Sequence, residues 1–185
     1  MAMVIAEPKL ITGEALLTMG DIGPCELIDG QIVPMTPPGG EQGVLEAILA
    51  WFLQNFVIPR KLGWVLSGEA GIYIRRNPER VRGMDVAFIS RQRHPAVPKG
   101  YLTTPPELIG EIVSPSDRWR DVEDKIEEYF GIGVERVWVV DPESQTVRVY
   151  RSETEFIKLN KQDVLRGEGV LEGFSLALAE LFIES

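Results

Sequence analysis

A chain of 185 residues with one cysteine and one histidine has little to build thiol or imidazole chemistry from. Cys25 cannot form an intramolecular disulfide or a multi-cysteine zinc site; it fits a reducing compartment, where its default role is a small core hydrophobe. His94 precedes Pro95. Alone it cannot supply a multi-histidine zinc centre, and no serine elbow accompanies it to suggest a triad. No apolar run approaches the roughly 20 residues of a membrane span, and the first residues lack the basic flank and long apolar region of a secretory signal. The chain is therefore read as cytoplasmic, with no membrane partner. Basic residues are in deficit, 19 Lys and Arg against 28 Asp and Glu, for a net charge of -9. That balance argues against general nucleic-acid binding driven by phosphate neutralisation, though not against a local basic groove. With no repeats, low-complexity tract or linker, residues 1–185 read as one globular domain around a single core.

What is present reads as alternating strands and helices. Thr12 caps a short helix that ends near Gly20. Cys25-Glu-Leu-Ile-Asp-Gly-Gln-Ile-Val33 places Asp-Gly between apolar dipeptides and predicts a β-hairpin over residues 25–35. Glu26 there is either a third inward acid or a solvated strand residue, and alternation alone favours the second. After Thr36-Pro-Pro-Gly-Gly, Val44, Leu45, Ile48, Leu49 and Phe52 recur at helical spacing and predict the longest helix, stopped by Pro59. Trp51 and Phe56 fit core or interface positions better than base-stacking platforms. Trp64-Val-Leu and Gly71-Ile-Tyr-Ile suggest two strands, followed by a turn at Asn77-Pro78. Val134–Val140 and Thr146–Tyr150 form a second hairpin, and residues 154–185 add one or two edge strands and a helical turn at Leu178–Phe182.

Two apolar strands each carry one acid. Met84-Asp85-Val-Ala-Phe-Ile holds Asp85, and Leu108-Ile-Gly-Glu111-Ile-Val holds Glu111. A buried carboxylate costs several kcal/mol unless a cation or donors meet it, so Glu111 is either a strand-edge residue facing water, which pattern alone favours, or a paired functional acid. Ser116 or Asp117 is a good N-cap for the helix that follows, whose sheet-facing stripe is Trp119, Val122, Ile126 and Tyr129. Lys125 lies beside that stripe, so its ammonium either snorkels or reaches over the strand end. Between residues 75 and 99, Arg75, Arg76, Arg80, Arg82, Arg91, Arg93 and Lys99 face only Glu79 and Asp85. Such a stretch is a solvated connection or a phosphate-facing patch, at even weight. Two strand acids followed by a helical lysine satisfy the needs of magnesium-assisted phosphodiester hydrolysis. Asp85, Glu111 and the Ile112 carbonyl would bind Mg²⁺ or Mn²⁺ through oxygen, and a lysine ammonium would offset developing charge. By spacing alone this signal is weak.

At these residues the chain resembles the Uma-type restriction endonuclease family of the PD-(D/E)XK nuclease superfamily. The resemblance spans nearly the whole chain. It is carried by the Cys25–Val33 segment, by Met84-Asp85-Val-Ala-Phe-Ile-Ser, by Glu107-Leu-Ile-Gly-Glu111-Ile-Val-Ser-Pro-Ser-Asp117, and by Lys125-Ile-Glu-Glu-Tyr129 through Asp141-Pro142. It implies an α/β restriction-endonuclease-like fold over residues 1–185, a central mixed sheet flanked by helices, with additional N- and C-terminal hairpins. It also implies a metal-dependent nuclease site with Asp85 as the motif aspartate and Glu111 as its second acid. Glu26 and Lys125 complete the candidate catalytic set. Met84 replaces the motif's proline, Val113 stands where the superfamily's usual lysine would follow the acid, and Glu41-Gln42 occupies a place where the family often shows histidine. Lys125 would then act from the helix. The function implied is hydrolysis of nucleic acid, DNA in particular, by a chain that could pair into a homodimer. The competing classes are an inactive nucleic-acid-binding or interaction protein of the same fold, and a hydrolase of a small phosphorylated substrate.

Overall fold

The computed structural model describes residues 10–115 and 117–183. In chain order the elements are α1 (Gly13–Thr18), β1 (Cys25–Ile28), β2 (Gln31–Pro34), α2 (Gly40–Arg60), β3 (Gly63–Arg76), β4 (Glu79–Ser90), β5 (Leu108–Ile112), α3 (Trp119–Ile132), β6 (Arg136–Asp141), β7 (Thr146–Tyr150), β8 (Phe156–Asn160), β9 (Val164–Arg166), β10 (Ser175–Ala177) and α4 (Leu178–Leu181). Eight strands form one mixed sheet in the order β2-β1-β4-β5-β6-β7-β8, with β3 paired to β4. Only β5 and β6 run parallel among its neighbours. Parallel neighbours need a crossover, and α3 provides it.

The sheet is covered on both faces. Alternate residues Val86, Phe88, Leu108, Ile112, Trp138 and Val140 pack with α2, and the small β9–β10 sheet and α4 close the same layer. Ala87, Ile89, Ile109, Val137 and Val139 pack instead with Val122, Ile126 and Tyr129 of α3. This period-two division explains why β4, β5 and β6 read as continuous apolar runs: both faces are buried.

The predicted hairpins and the mixed α/β architecture are present, and four details differ. The stretch expected as two strands around Trp64 and Tyr73 is one long strand, β3, whose register shifts between Ser67 and Ala70. Helix α2 runs through Pro59 to Arg60 and buries Leu45, Leu49, Ala50, Leu53 and Val57, so Val44 points outward rather than into the core. The residue capping α3 is Arg118, which makes no side-chain cap bond; Asp117 instead accepts the Ser114 amide at 2.8 Å, and Ser116 lies outside the described residues. Of the C-terminal strands, β8 is an edge strand of the main sheet, whereas β9 and β10 pair separately.

Candidate active site

The site is built at a break in strand pairing. One edge of β4 pairs with β3 along most of its length, while the other meets β1 at Val81 and β5 at Val86–Phe88. Between those contacts the edge of β4 is open, and polar side chains take over from backbone partners. The Gly83 amide donates to Glu26 Oε1 at 3.1 Å, and the Gly83 carbonyl lies 3.2 Å from the Tyr129 hydroxyl. Asp85 Oδ2 accepts the Ile112 amide of β5 at 2.6 Å. A buried amide without a partner is costly, so both carboxylates are fixed in place by the sheet they interrupt.

Glu111 faces α3, as strand alternation requires with Ile109 on the same side. Its Oε2 is 2.8 Å from Lys125 Nζ and its Oε1 2.8 Å from the Tyr129 hydroxyl. Lys125 and Tyr129 are one helical turn apart, which brings both side chains to one carboxylate. Burial pushes the Glu111 carboxyl up to about 7, against the pull of the Lys125 ammonium. Burial also pushes Asp85 up to about 7; the Ile112 amide opposes this and the Glu69 carboxylate reinforces it. Burial works against the Lys125 charge, but Glu111, Glu26 and Asp85 outweigh it and raise its pKa, so it stays an ammonium at neutral pH. All three residues line one cleft of about 320 Å³, together with Glu26, Glu69, Ile112 and Arg82. Ile112 therefore reaches the cleft wall, and Val113 lines it beside Glu111 with no cation of its own.

Glu26 is not a solvated strand residue: it is 7% exposed, and its Oε2 meets Arg82 at 2.7 Å. Arg82 also reaches Glu128 of α3 at 2.7 Å, and Arg80 holds Asp29 at 2.9 Å and pairs with Glu128 as well. Of the two readings open for residues 75–99, these pairings favour the charged connection over the phosphate-facing patch. Arg75, Arg76, Arg80, Arg82 and Arg93 all form ion pairs with acids of the same chain. Arg91 lies over the Trp64 ring, 4.5 Å from its centroid. Composition revealed the basic residues but not the acids that face them from other elements.

Sequence reasoning missed Glu69. The shift in β3 sets Gly68 and Glu69 opposite Asp85, with both residues in the left-handed region at φ 75° and 59°. Such a bulge re-aims a side chain, and here it turns Glu69 into the cleft. The Glu69 carboxyl is buried beside Asp85, with which it shares a hydrogen bond, and its Oε2 fills the space that a Cβ at Gly83 would need. Burial raises the Glu69 pKa, with Glu111 and Glu26 adding to the rise. The available signal was a Ser-Gly-Glu-Ala-Gly stretch inside a β-rich run, since an interior glycine often marks a bulge. Glu46 of α2 secures the bulge by accepting the Gly68 amide at 2.6 Å.

The sequence profile of the Uma2 family, described as "Putative restriction endonuclease", matches residues 14–179. The chain belongs to the Uma2 family. Its match runs from α1 through β10, so every residue of the cleft lies inside it. The fold is similar to a crystal structure of a "putative nuclease" from Anabaena variabilis ATCC 29413. That structure is 21% identical, with a TM-score of 0.78 over 93% of this chain and 97% of the other. No curated protein matches the chain. Family membership makes the protein nuclease-like, and the structural similarity shows that this Uma2 member shares the mixed α/β fold of that neighbour.

Proposed function

We propose that this protein is a Mg²⁺- or Mn²⁺-dependent phosphodiesterase acting on DNA. The observation that carries the reading is the convergence of Asp85, Glu111 and Lys125 on one cleft that also holds the buried Glu69 carboxyl. Among the described residues, no three His, Cys, Asp or Glu side chains are grouped to hold a metal ion. An ion in this cleft would therefore take one or two carboxylates and keep several waters, as Mg²⁺ commonly does. Asp85 and Glu111, with the Ile112 carbonyl, are the groups that would hold it. When bound, the ion supplies Lewis-acid polarisation of the phosphate and a water of lowered pKa.

The chain's own residues supply the rest. Lys125 keeps its charge and sits where negative charge develops, and a fixed ammonium in a partly desolvated cleft is worth far more there than in water. Tyr129 holds Glu111 in a single orientation, and the Ile112 amide does the same for Asp85. Glu26 occupies the cleft wall, but its commitment to Arg82 and Gly83 makes it a positioning group for the β4 edge.

The test joins calorimetry with cleavage of supercoiled plasmid. Wild type should bind Mn²⁺ and nick the plasmid; Asp85→Ala and Glu111→Ala should each lose both while keeping their circular dichroism. Unchanged metal affinity in both variants would remove the site from these residues. Pairing of the arginines favours a second reading, hydrolysis of a small phosphorylated substrate, because little free positive charge is left to track a DNA backbone. A cleavage rate on DNA that hardly changes between low and moderate salt would support it, since phosphate contacts make binding steeply salt-dependent.

A further inference from the structure

Helix α3 covers only part of the sheet face it lies on. It packs over β3, β4, β5 and β6, and the core on that side ends at Tyr150 of β7. Cross-strand partners share a face, so Arg148, opposite Val139, and Lys158, opposite Arg148, stand on this side, as does Phe156 opposite Tyr150. Strand β8 adds no residue to that core, and both Phe156 and Lys158 are exposed. Rings and cations stand there instead. The Arg148 guanidinium lies over the Trp119 ring, 3.9 Å from its centroid, and 5.6 Å from the Phe156 centroid, while the Phe156 ring tilts against Tyr150 at 4.7 Å. These contacts leave Trp119 37% and Phe156 45% exposed. The ion pairing that neutralises the arginines of β3 and β4 does not reach this surface. Among the described residues, Arg148, Lys158 and Arg120, the neighbour of Trp119, pair with no acid, and the buried Arg148 Nε has no hydrogen-bond partner.

We propose that this platform binds single-stranded DNA, with bases stacked on Trp119 and Phe156 and phosphates beside Arg120, Arg148 and Lys158. The sparseness of the charge decides between one strand and two. A duplex hides its bases and is held chiefly through its phosphates, and a few cations in a rim that also exposes Glu123 and Glu155 are a weak hold on a double backbone. A single strand offers its bases as well. Stacking on an aromatic ring is tolerant of sequence because every base has a flat face, and rings standing on a bare sheet face are a recurrent way of using it. The Trp119 ring is already fixed by Arg148, so little freedom is lost when a base covers it. The platform also adjoins the cleft. Trp119 and Lys125 are six positions apart, about 240° around the helix, which sets them on opposite flanks of the buried Val122 and Ile126. Asp121 and Lys125 line the cleft on one flank, and Trp119 serves the other. A strand that leaves the cleft over the start of α3 therefore meets the platform next. That the polymer is DNA rests on the function proposed above; that the platform takes a single strand rests on its rings and cations.

The test reads binding in chelator, where no metal-dependent cleavage can interfere. Fluorescence anisotropy follows the full chain against a labelled thymidine oligomer of about 20 nucleotides at low salt, with a duplex of the same length as competitor. Wild type should bind the single strand at least about tenfold more tightly than the duplex. Trp119→Ala and Phe156→Ala should each weaken single-strand binding about tenfold, and Trp119→Phe should retain most of it. Lys158→Glu, on an exposed edge strand where it disturbs no core, should weaken binding several-fold and make it less sensitive to salt. Stacking should also quench tryptophan emission in wild type and not in Trp119→Phe. Duplex bound as tightly as the single strand overturns the proposal, as does single-strand binding that is absent or is indifferent to both Trp119→Ala and Lys158→Glu. An equivalent uridine oligomer that bound where the thymidine oligomer did not would assign the platform to RNA and overturn the DNA assignment. Mn²⁺-dependent plasmid cleavage without Trp119-dependent binding would remove the platform and leave the function of the cleft standing. Trp119-dependent binding without cleavage under any divalent ion would do the reverse.

Discussion

On one side of Gly83 the charges are matched: Glu26 and Glu128 meet Arg82, and Glu128 and Asp29 meet Arg80. On the other side Asp85, Glu69 and Glu111 share the single ammonium of Lys125. Both clusters are largely buried, and both join β4 to α3. The first includes β1 and is a closed network, in which each acid finds a guanidinium and the result is attachment of a helix and a hairpin to the sheet. The second keeps an excess of negative charge in a cleft, a state that desolvation penalises and a bound cation would relieve. Two neighbouring acid clusters are thus told apart by the balance of their partners and not by their residue types.

The sharpest way to separate them is to remove the cation from each. In the unbalanced cluster Lys125→Met leaves the carboxylates in place, so metal binding should survive. Single-turnover plasmid cleavage should fall roughly 10²- to 10³-fold, on the order of 2 to 4 kcal/mol of transition-state stabilisation. Val113→Lys in that background should recover part of the rate, because Val113 lines the same cleft. Equal rates for wild type and Lys125→Met would reduce Lys125 to a structural partner of Glu111. In the balanced cluster the corresponding change is Arg82→Ala, and there the loss should appear in stability. Glu26 would be left at low exposure without its cation while Glu128 kept only Arg80, at a cost of about 3 kcal/mol, read as a lower urea midpoint.

Acid titration distinguishes the clusters more gently. Asp85 and Glu111 have folded pKa values near 7, well above the ordinary carboxylate range of an unfolded chain. Between about pH 4.5 and 7 the folded protein therefore holds protons that the unfolded chain has lost, and raising the pH through that window favours unfolding. Metal-free protein should lose about 2 kcal/mol for each carboxyl so held between pH 5 and 7.5, with a slope of at most roughly 1.4 kcal/mol per pH unit for each. Millimolar Mg²⁺ should flatten or reverse the trend, since the ion binds the deprotonated carboxylates of the folded state. A metal-free stability that rises steadily from pH 5 to 7.5 would show that neither acid is held protonated.

How far the sequence could foretell this depends on whether a residue breaks a local pattern. Asp85 and Glu111 interrupt apolar strands, and Lys125 borders an apolar helical stripe, so each stood out against its neighbours. Glu69 did not, because it sits in a Gly-Glu-Ala-Gly segment with no apolar run to violate, and its aim is set by a backbone bulge. Glu26 runs against the pattern, since alternation cannot foresee an arginine 56 positions later on a strand whose backbone pairs with β1 only at Val81. The arginines of residues 75–99 present the same problem, since most of their acids come from elsewhere in the chain: Glu14 of α1, Glu26 and Asp29 of the β1–β2 hairpin, Glu107 before β5, Glu128 of α3 and Glu135 after it. On α2 the signal was ambiguous in another way. Apolar residues on both faces give no single stripe, so Val44 was assigned inward while Leu53 and Val57 went unrecognised as core.

The smallest effect tests the unbalanced cluster most directly, because its sign is unusual. Asp85→Asn is nearly isosteric. Its amide oxygen can keep the Ile112 N–H now held at 2.6 Å, and its NH₂ group can donate toward the buried Glu69 carboxylate, a hydrogen bond that the Asp85 side chain supplies only while it is protonated. The substitution thus removes one charge from a crowded site and makes that donor permanent. Most changes at a buried polar residue destabilise by about 1 kcal/mol. Here the metal-free protein should instead gain about 1 kcal/mol, the worth of one added hydrogen bond, and its pH trend between 5 and 7.5 should become shallower. The same change in the balanced cluster, Glu26→Gln, should go the other way, because it discharges the partner of Arg82. Thermal unfolding of the two variants in chelator at pH 7 gives both signs in one experiment. If Asp85→Asn and Glu26→Gln are destabilised alike, the cleft is not under electrostatic tension, and the contrast between the two clusters fails.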